Sequence, residues 1–210
     1  MHASFSESTY TSKLLALEGS FLAKKDNVET VGVLEFDREY IQAPGQSSSI
    51  STDKIDAHVK RKLFATGKDY YAYLSPRFRH DRFGYFENSL ALRVGAGRRF
   101  AFERGVLVSL DLGTGYREAR KFNGDRVTES LMSASASLDW KITEMAHFKF
   151  LFTHEQGAIE RYRTFELSLK NKLSSILGLK YRITYTRDYP FSSLGHAGEV
   201  VADIGLSYSF

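Results

Sequence analysis

Apolar and polar residues alternate with a period of two along nearly the whole chain. Leu177, Leu179, Tyr181, Ile183 and Tyr185 interleave with Gly178, Lys180, Arg182, Thr184 and Thr186. Met132, Ala134, Ala136, Leu138 and Trp140 interleave with Ser133, Ser135, Ser137, Asp139 and Lys141. The same rhythm returns around Ile55, Tyr70, Leu90, Val106, Phe148, Phe165 and Ala202. A helix repeats its faces every 3.6 residues and cannot produce this pattern, whereas a strand with one apolar face must. With two less regular segments at 15–23 and 31–40, the pattern predicts roughly eleven strands, each near the ~10 residues that a tilted membrane-spanning strand needs.

Connections between these strands alternate in character. TGKD (66–69), TEMA (143–146) and NKLS (171–174) are short, while QAPGQSSSIST (42–52), KFNGDRV (121–127) and DYPFSSLGHAG (188–198) are longer and polar. Short turns at one end and longer loops at the other are the arrangement of an outer-membrane barrel. Asn123-Gly124 predicts a tight turn at one loop tip. Pro76 lies mid-strand, where it removes a ladder donor and predicts a bulge. No linker or low-complexity stretch interrupts the chain, which reads as one domain, 1–210.

Composition narrows the class. Mean hydropathy is −0.31, with 16 Phe and 12 Tyr but 3 Pro. No stretch approaches the ~18 consecutive apolar residues of a membrane helix, but a transmembrane barrel needs only every second residue apolar and stays polar on average. Cysteine is absent, which removes disulfides and thiolate metal sites. The formal charge of +4 is small and its basic residues are spread along the chain, so a nucleic-acid partner is not expected. The opening MHASFSESTYTS has no charged segment followed by an apolar one; export implies a signal peptide outside this chain.

A soluble β-sandwich and an inverted, lipid-facing barrel share this alternation. Aromatics near strand ends (Tyr70, Phe86, Tyr116, Trp140, Phe148, Tyr185 and Phe210) resemble interfacial girdles. On the polar faces, small residues such as Gly95, Gly97, Gly113, Gly115, Gly205 and Ser133 mix with charges of both signs. Small residues make room inside a narrow cylinder and have no particular use on a solvated exterior. The chain closes on Leu206-Ser207-Tyr208-Ser209-Phe210, and Tyr208 with Phe210 resembles the C-terminal signal read by outer-membrane assembly machinery. The expected fold is all-β: a transmembrane antiparallel up-and-down β-barrel of about twelve strands, about eleven of them complete here. Its expected setting is the Gram-negative outer membrane, with its lipid and lipopolysaccharide as partners.

The run KDYYAYLSPRFRHDRFGYFENSLALRVGAGRRF from Lys68, followed by VSLDLGTGYREAR from Val108, carries a family resemblance. With Asp81-Arg82-Phe83, Gly115-Tyr116-Arg117 and the closing LSYSF, it resembles the DUF481 family, salt-induced outer-membrane proteins of the YdiY type. The resemblance covers about residues 11–210. It implies a barrel of about twelve strands without an assigned molecular activity. It also implies a first strand before residues 6–12, expected here to be missing or reduced to a stub, because single-chain bacterial barrels have even strand numbers.

Candidate chemistry lies on the polar faces. Expected lumen-lining residues are Lys60, Lys62, Arg77, Arg79, Arg93, Arg117, Lys180, Arg182, Glu166 and Asp203. Two readings follow. These charges pair across neighbouring strands and fill a narrow, structural barrel. Alternatively, Arg77, Arg79, Arg93, Lys180 and Arg182 line a narrow passive channel for small anions. A lipid-modifying enzyme is a third class, but His58, His80, His147, His154 and His196 are scattered without a patterned nucleophile, so no catalytic residue, cofactor or metal site is expected.

Overall fold

A computed structural model of the chain describes residues 11–42, 49–67, 69–174, 177–190 and 197–208. The expected first strand before residues 6–12 and the terminal Phe210 lie outside the described residues. Eleven strands follow one another as an antiparallel meander, each hydrogen-bonded to the next in chain order. They are β1 (Thr11–Lys25), β2 (Val28–Gln42), β3 (Ser49–Phe64), β4 (Tyr70–Asp81), β5 (Asn88–Phe102) and β6 (Val106–Arg120). The remainder are β7 (Arg126–Lys141), β8 (Ala146–Gln156), β9 (Glu160–Lys172), β10 (Leu177–Pro190) and β11 (Ala197–Tyr208). The irregular segments at 15–23 and 31–40 grow into strands of 15 residues, because β1 and β2 zip together without a break from Thr11↔Gln42 to Lys25↔Val28.

Turn chemistry explains the connections. Asp26 takes φ 51° in the β1–β2 turn, a left-handed conformation that Asp tolerates because its carboxylate can bond locally. Gly124 (φ 88°) closes the predicted Asn123-Gly124 turn, its N–H donating to the Lys121 carbonyl at 3.0 Å. Arg104 and Gly105 bend the chain between β5 and β6 through a single 3₁₀ turn. The side-chain alternation of β4 passes through Pro76 without the phase change that the expected bulge would introduce. A register shift occurs instead between Glu39 and Tyr40, where Ser51 is the extra residue of β3.

The chain falls into two compact units. The first holds β1, β2 and nearly all of β3, with Leu74–Leu92 and Tyr116–Thr128; the second holds Phe64–Tyr73, Arg93–Gly115 and the chain from Glu129 onward. In both, burial is inverted relative to a soluble core. In the first, Leu17, Leu34, Leu74 and Leu90 are exposed, while Glu29, Ser75 and Arg117 are buried. In the second, Leu112 and Met132 are 70% and 72% exposed, while Ser109, Asp111, Glu129 and Glu155 are buried. β4 states the rule most cleanly: Tyr70, Ala72, Leu74, Pro76 and Phe78 are exposed, and Tyr71, Tyr73 and Ser75 between them are buried.

Of the glycines expected to leave room on the polar face, Gly95, Gly97 and Gly113 are occupied positions. Tyr73 lies against Gly95 and Gly113, and Tyr71 lies against Gly97, so two large rings fill the space that the missing side chains vacate. A Cβ at Gly95 would also meet the backbone carbonyl of Leu112, which cannot swing away. At Gly205 nothing stands within 4 Å. Gly95→Ala is therefore expected to destabilise the fold by about 1–3 kcal/mol through overpacking. Gly205→Ala, at an open strand position, should be neutral or stabilising by about 0.5–1 kcal/mol. Denaturant unfolding followed through Trp140 fluorescence checks the pair.

Candidate functional site: the polar face of the sheet

Period-two alternation places one set of side chains on the polar face, and antiparallel register decides which of them meet. In the first unit, Asp56 on β3 receives Arg77 from β4, whose Nε donates to Oδ1 at 3.0 Å and to Oδ2 at 3.1 Å. Arg79 adds a second cation 3.6 Å from the same carboxylate. Nearer the hairpin ends, buried Glu29 takes Lys62 at 3.4 Å and Lys24 at 3.2 Å. Arg117 is buried, its guanidinium 4.9 Å above the Phe86 ring. Phe86, expected in an interfacial girdle, is itself buried beneath that cation; its strand-end position misled because the segment before β5 folds in.

The second unit carries a denser network. The Tyr71 hydroxyl donates to Asp111 at 2.5 Å, and Ser135 donates to the other oxygen of the same carboxylate at 2.8 Å. Tyr73 reaches Ser133 at 3.5 Å. Arg93 on β5 forms an ion pair with Glu155 on β8, both side chains nearly buried. Glu129 accepts the Ile159 N–H at 2.9 Å and so ties the β8–β9 turn to β7. Buried charges persist only when compensated, and each of these carboxylates accepts at least one hydrogen bond.

Register also builds rows that sequence spacing alone does not show. Lys141, His147, Lys170 and Lys180 stand directly opposite one another on β7, β8, β9 and β10. Asp139 sits one step along the same face, in contact with His147 and 3.6 Å from Lys149. Adjacent positions in such a row hold their Cβ atoms about 4.5–5.5 Å apart, so the row concentrates positive charge beside the short β7–β8 and β9–β10 turns.

Among the expected lining residues, the structure places Lys62 with Glu29, Arg77 and Arg79 with Asp56, Arg93 with Glu155, and Arg117 over Phe86. Lys60 is half-buried on β3 opposite Val31. Glu166 stands opposite Leu151 and Thr184. Arg182 stands opposite Ser168 and Asp203, and Lys180 joins the basic row. Of the expected assembly signal, Tyr208 pairs with Leu177, and Phe210 lies outside the described residues. Sequence reasoning missed Lys141, His147 and Lys170 as a group and the filling role of Tyr71 and Tyr73. A hairpin-by-hairpin register was the signal that would have found the row.

A family model described as "Protein of unknown function, DUF481" matches residues 7–210. No curated protein matches the chain. Among solved structures, the NanC porin is similar with a TM-score of 0.54 at 8% identity, covering 93% of this chain and 99% of that one. The translocator domain of the autotransporter NalP from Neisseria meningitidis is similar with a TM-score of 0.51 at 12% identity, covering 96% and 80%. The fold is that of the antiparallel outer-membrane β-barrels.

The Arg93–Glu155 pair yields a test of how the polar face is held. Glu155→Leu alone is expected to cost about 3–5 kcal/mol, because it strands a buried guanidinium. Adding Arg93→Met should recover most of that loss. Unfolding midpoints of the wild type, both single variants and the double variant check it.

Proposed function

The chain belongs to the DUF481 family, and from that premise we propose that it forms an outer-membrane barrel offering a narrow passive path to small anions. The observation that carries this reading is the row Lys141–His147–Lys170–Lys180 on the polar face. The arginines Arg77, Arg79 and Arg93 sit against Asp56 and Glu155, which leaves them little field to offer a solute. The basic row brings four cationic or titratable side chains side by side across β7 to β10, with Asp139 in contact with His147 at one step along the face. Two ammonium groups ~8 Å apart repel by about 2 kcal/mol at an effective dielectric of ~20, and an anion passing between them relieves that repulsion. The short turns beside the row belong on the periplasmic side, which makes the row the inner mouth of the path. The path performs no chemistry on its solute.

A second reading, a structural barrel closed to solutes, is favoured by Tyr71 and Tyr73, whose rings fill the glycine positions and whose hydroxyls bond to Asp111 and Ser133. Planar-bilayer recording separates the two. The first reading expects small stable steps with chloride favoured over potassium by roughly threefold or more, falling at least threefold in Lys170→Glu/Lys180→Glu. Silence in high salt would dispose of the path and leave the closed barrel.

A further inference from the structure

One cation interrupts the outward, apolar face of β5. Val94 and Ala96 are exposed on that face, Arg98 follows them, and Phe100 and Phe102 continue it toward the turn. The Arg99 N–H donates to the Asp69 carbonyl at 2.9 Å, which brings the start of β4 beside this stretch of β5. The Arg98 guanidinium then lies 4.7 Å from the ring centroid of Tyr70 and 4.7 Å from that of Phe100. Tyr70 and Phe102 are themselves 51% and 59% exposed, so the cation stands among outward-facing aromatics.

The two rings hold this cation without neutralising it. A ring face attracts a guanidinium through its quadrupole but supplies no counter-charge. Among the described residues the Arg98 side chain makes no hydrogen bond and no ion pair, and the nearby carboxylates of Asp69 and Glu103 are not joined to it. Arg93, on the other face of the same strand, meets Glu155. Arg98 faces away from that polar network, so its counter-ion has to come from outside the chain.

Depth says what that counter-ion is. From Arg98 to Glu103, where the β5–β6 turn begins, five steps span roughly 17 Å at ~3.4 Å per residue. At a strand tilt of ~40° that is about 13 Å along the membrane normal. The headgroup layer on each side of a bilayer is about 5–7 Å thick. With the turn in water just beyond it, the Arg98 backbone lies a little below the headgroups, within reach of a long side chain that snorkels toward them. Tyr70, Phe100 and Phe102 occupy the same depth as an interfacial belt does. A charge on the lipid face is costly at the midplane and tolerated near the interface, where a phosphate oxygen can receive the guanidinium fork.

We propose that Arg98, held by Tyr70 and Phe100, is a seat for the phosphodiester of an anionic glycerophospholipid. A net-anionic headgroup fits better than a zwitterionic one, whose own ammonium competes for the phosphate. The inference rests on the membrane barrel and on the orientation that puts short turns in the periplasm, which assigns the lipid to the inner leaflet; the anion path plays no part in it.

The test uses folded full-length protein in nanodiscs holding phosphatidylcholine and phosphatidylglycerol in equal amounts, with a parallel set in which lipid A is added. Native mass spectrometry reads the lipid that stays bound. Phosphatidylglycerol should be retained at least about fivefold over phosphatidylcholine. Arg98→Gln should remove most of that preference, Arg98→Lys should keep part of it, and Tyr70→Leu/Phe100→Leu should weaken it by about threefold. Equal retention of the two phospholipids by the wild type overturns the seat, with no variant needed. A preference that survives in Arg98→Gln, shown to fold, overturns Arg98 as its source. A preference abolished by inorganic phosphate in the buffer shows a free-anion site and overturns the lipid assignment. Arg98-dependent retention of lipid A above phosphatidylglycerol overturns the lipid class together with the orientation.

Discussion

In hydrocarbon, no water is present to satisfy backbone N–H and C=O groups, so a membrane-crossing strand must pair along its length with both neighbours. That constraint organises the molecule. β1 to β11 meander with each strand bonded to the next, and the β1–β2 ladder runs unbroken over all of both strands. Once the ladder is fixed, side chains have two destinations. Leu74, Leu90, Leu112 and Met132 go to the exposed face, and Ser75, Ser109, Asp111 and Glu129 go to the buried one. Exposed Leu112 and Met132 beside buried Asp111 and Glu155 are one consequence of this sorting, not separate anomalies.

The polar face then has to solve its own problem, because charges shielded from bulk water need partners. Asp56 with Arg77 and Arg79, and Glu29 with Lys62 and Lys24, solve it with neighbouring strands as the scaffold, while Arg93 on β5 meets Glu155 on β8. Tyr71 and Tyr73 solve it differently, laying apolar rings over Gly97, Gly95 and Gly113 and sending only their hydroxyls to Asp111 and Ser133. The glycines are thus small for a steric reason that the tyrosines define. Register gathers Lys141, His147, Lys170 and Lys180 into one row on the same face, with Asp139 in contact with His147 beside it.

Strand existence and facing were legible because a period of two is a one-dimensional signal. Leu177 to Thr186 reads the same on paper as in β10. Strand length was less so: β1 and β2 outrun their apolar segments because pairing, once begun, extends through Ser12, Lys24 and Glu29. Register was not legible, since it depends on which residue stands opposite which after each turn. That is why Lys180 could be placed on the polar face yet not beside Lys170 and His147. Phe86 shows the limit of reading position for environment; its buried place under Arg117 depends on β6, thirty residues on.

The chain contains no cysteine, so single labels can be placed without background. Nitroxides at Leu167→Cys and at its neighbour Ser168→Cys, in protein folded into lipid bilayers, test the sorting of faces most directly. Oxygen dissolved in the acyl chains should relax the label at 167 strongly, and a water-soluble nickel chelate should barely reach it. The label at 168 should lose most of that oxygen sensitivity. A Leu167 label shielded from acyl-chain oxygen, with the Ser168 label facing lipid, would contradict the account at its base.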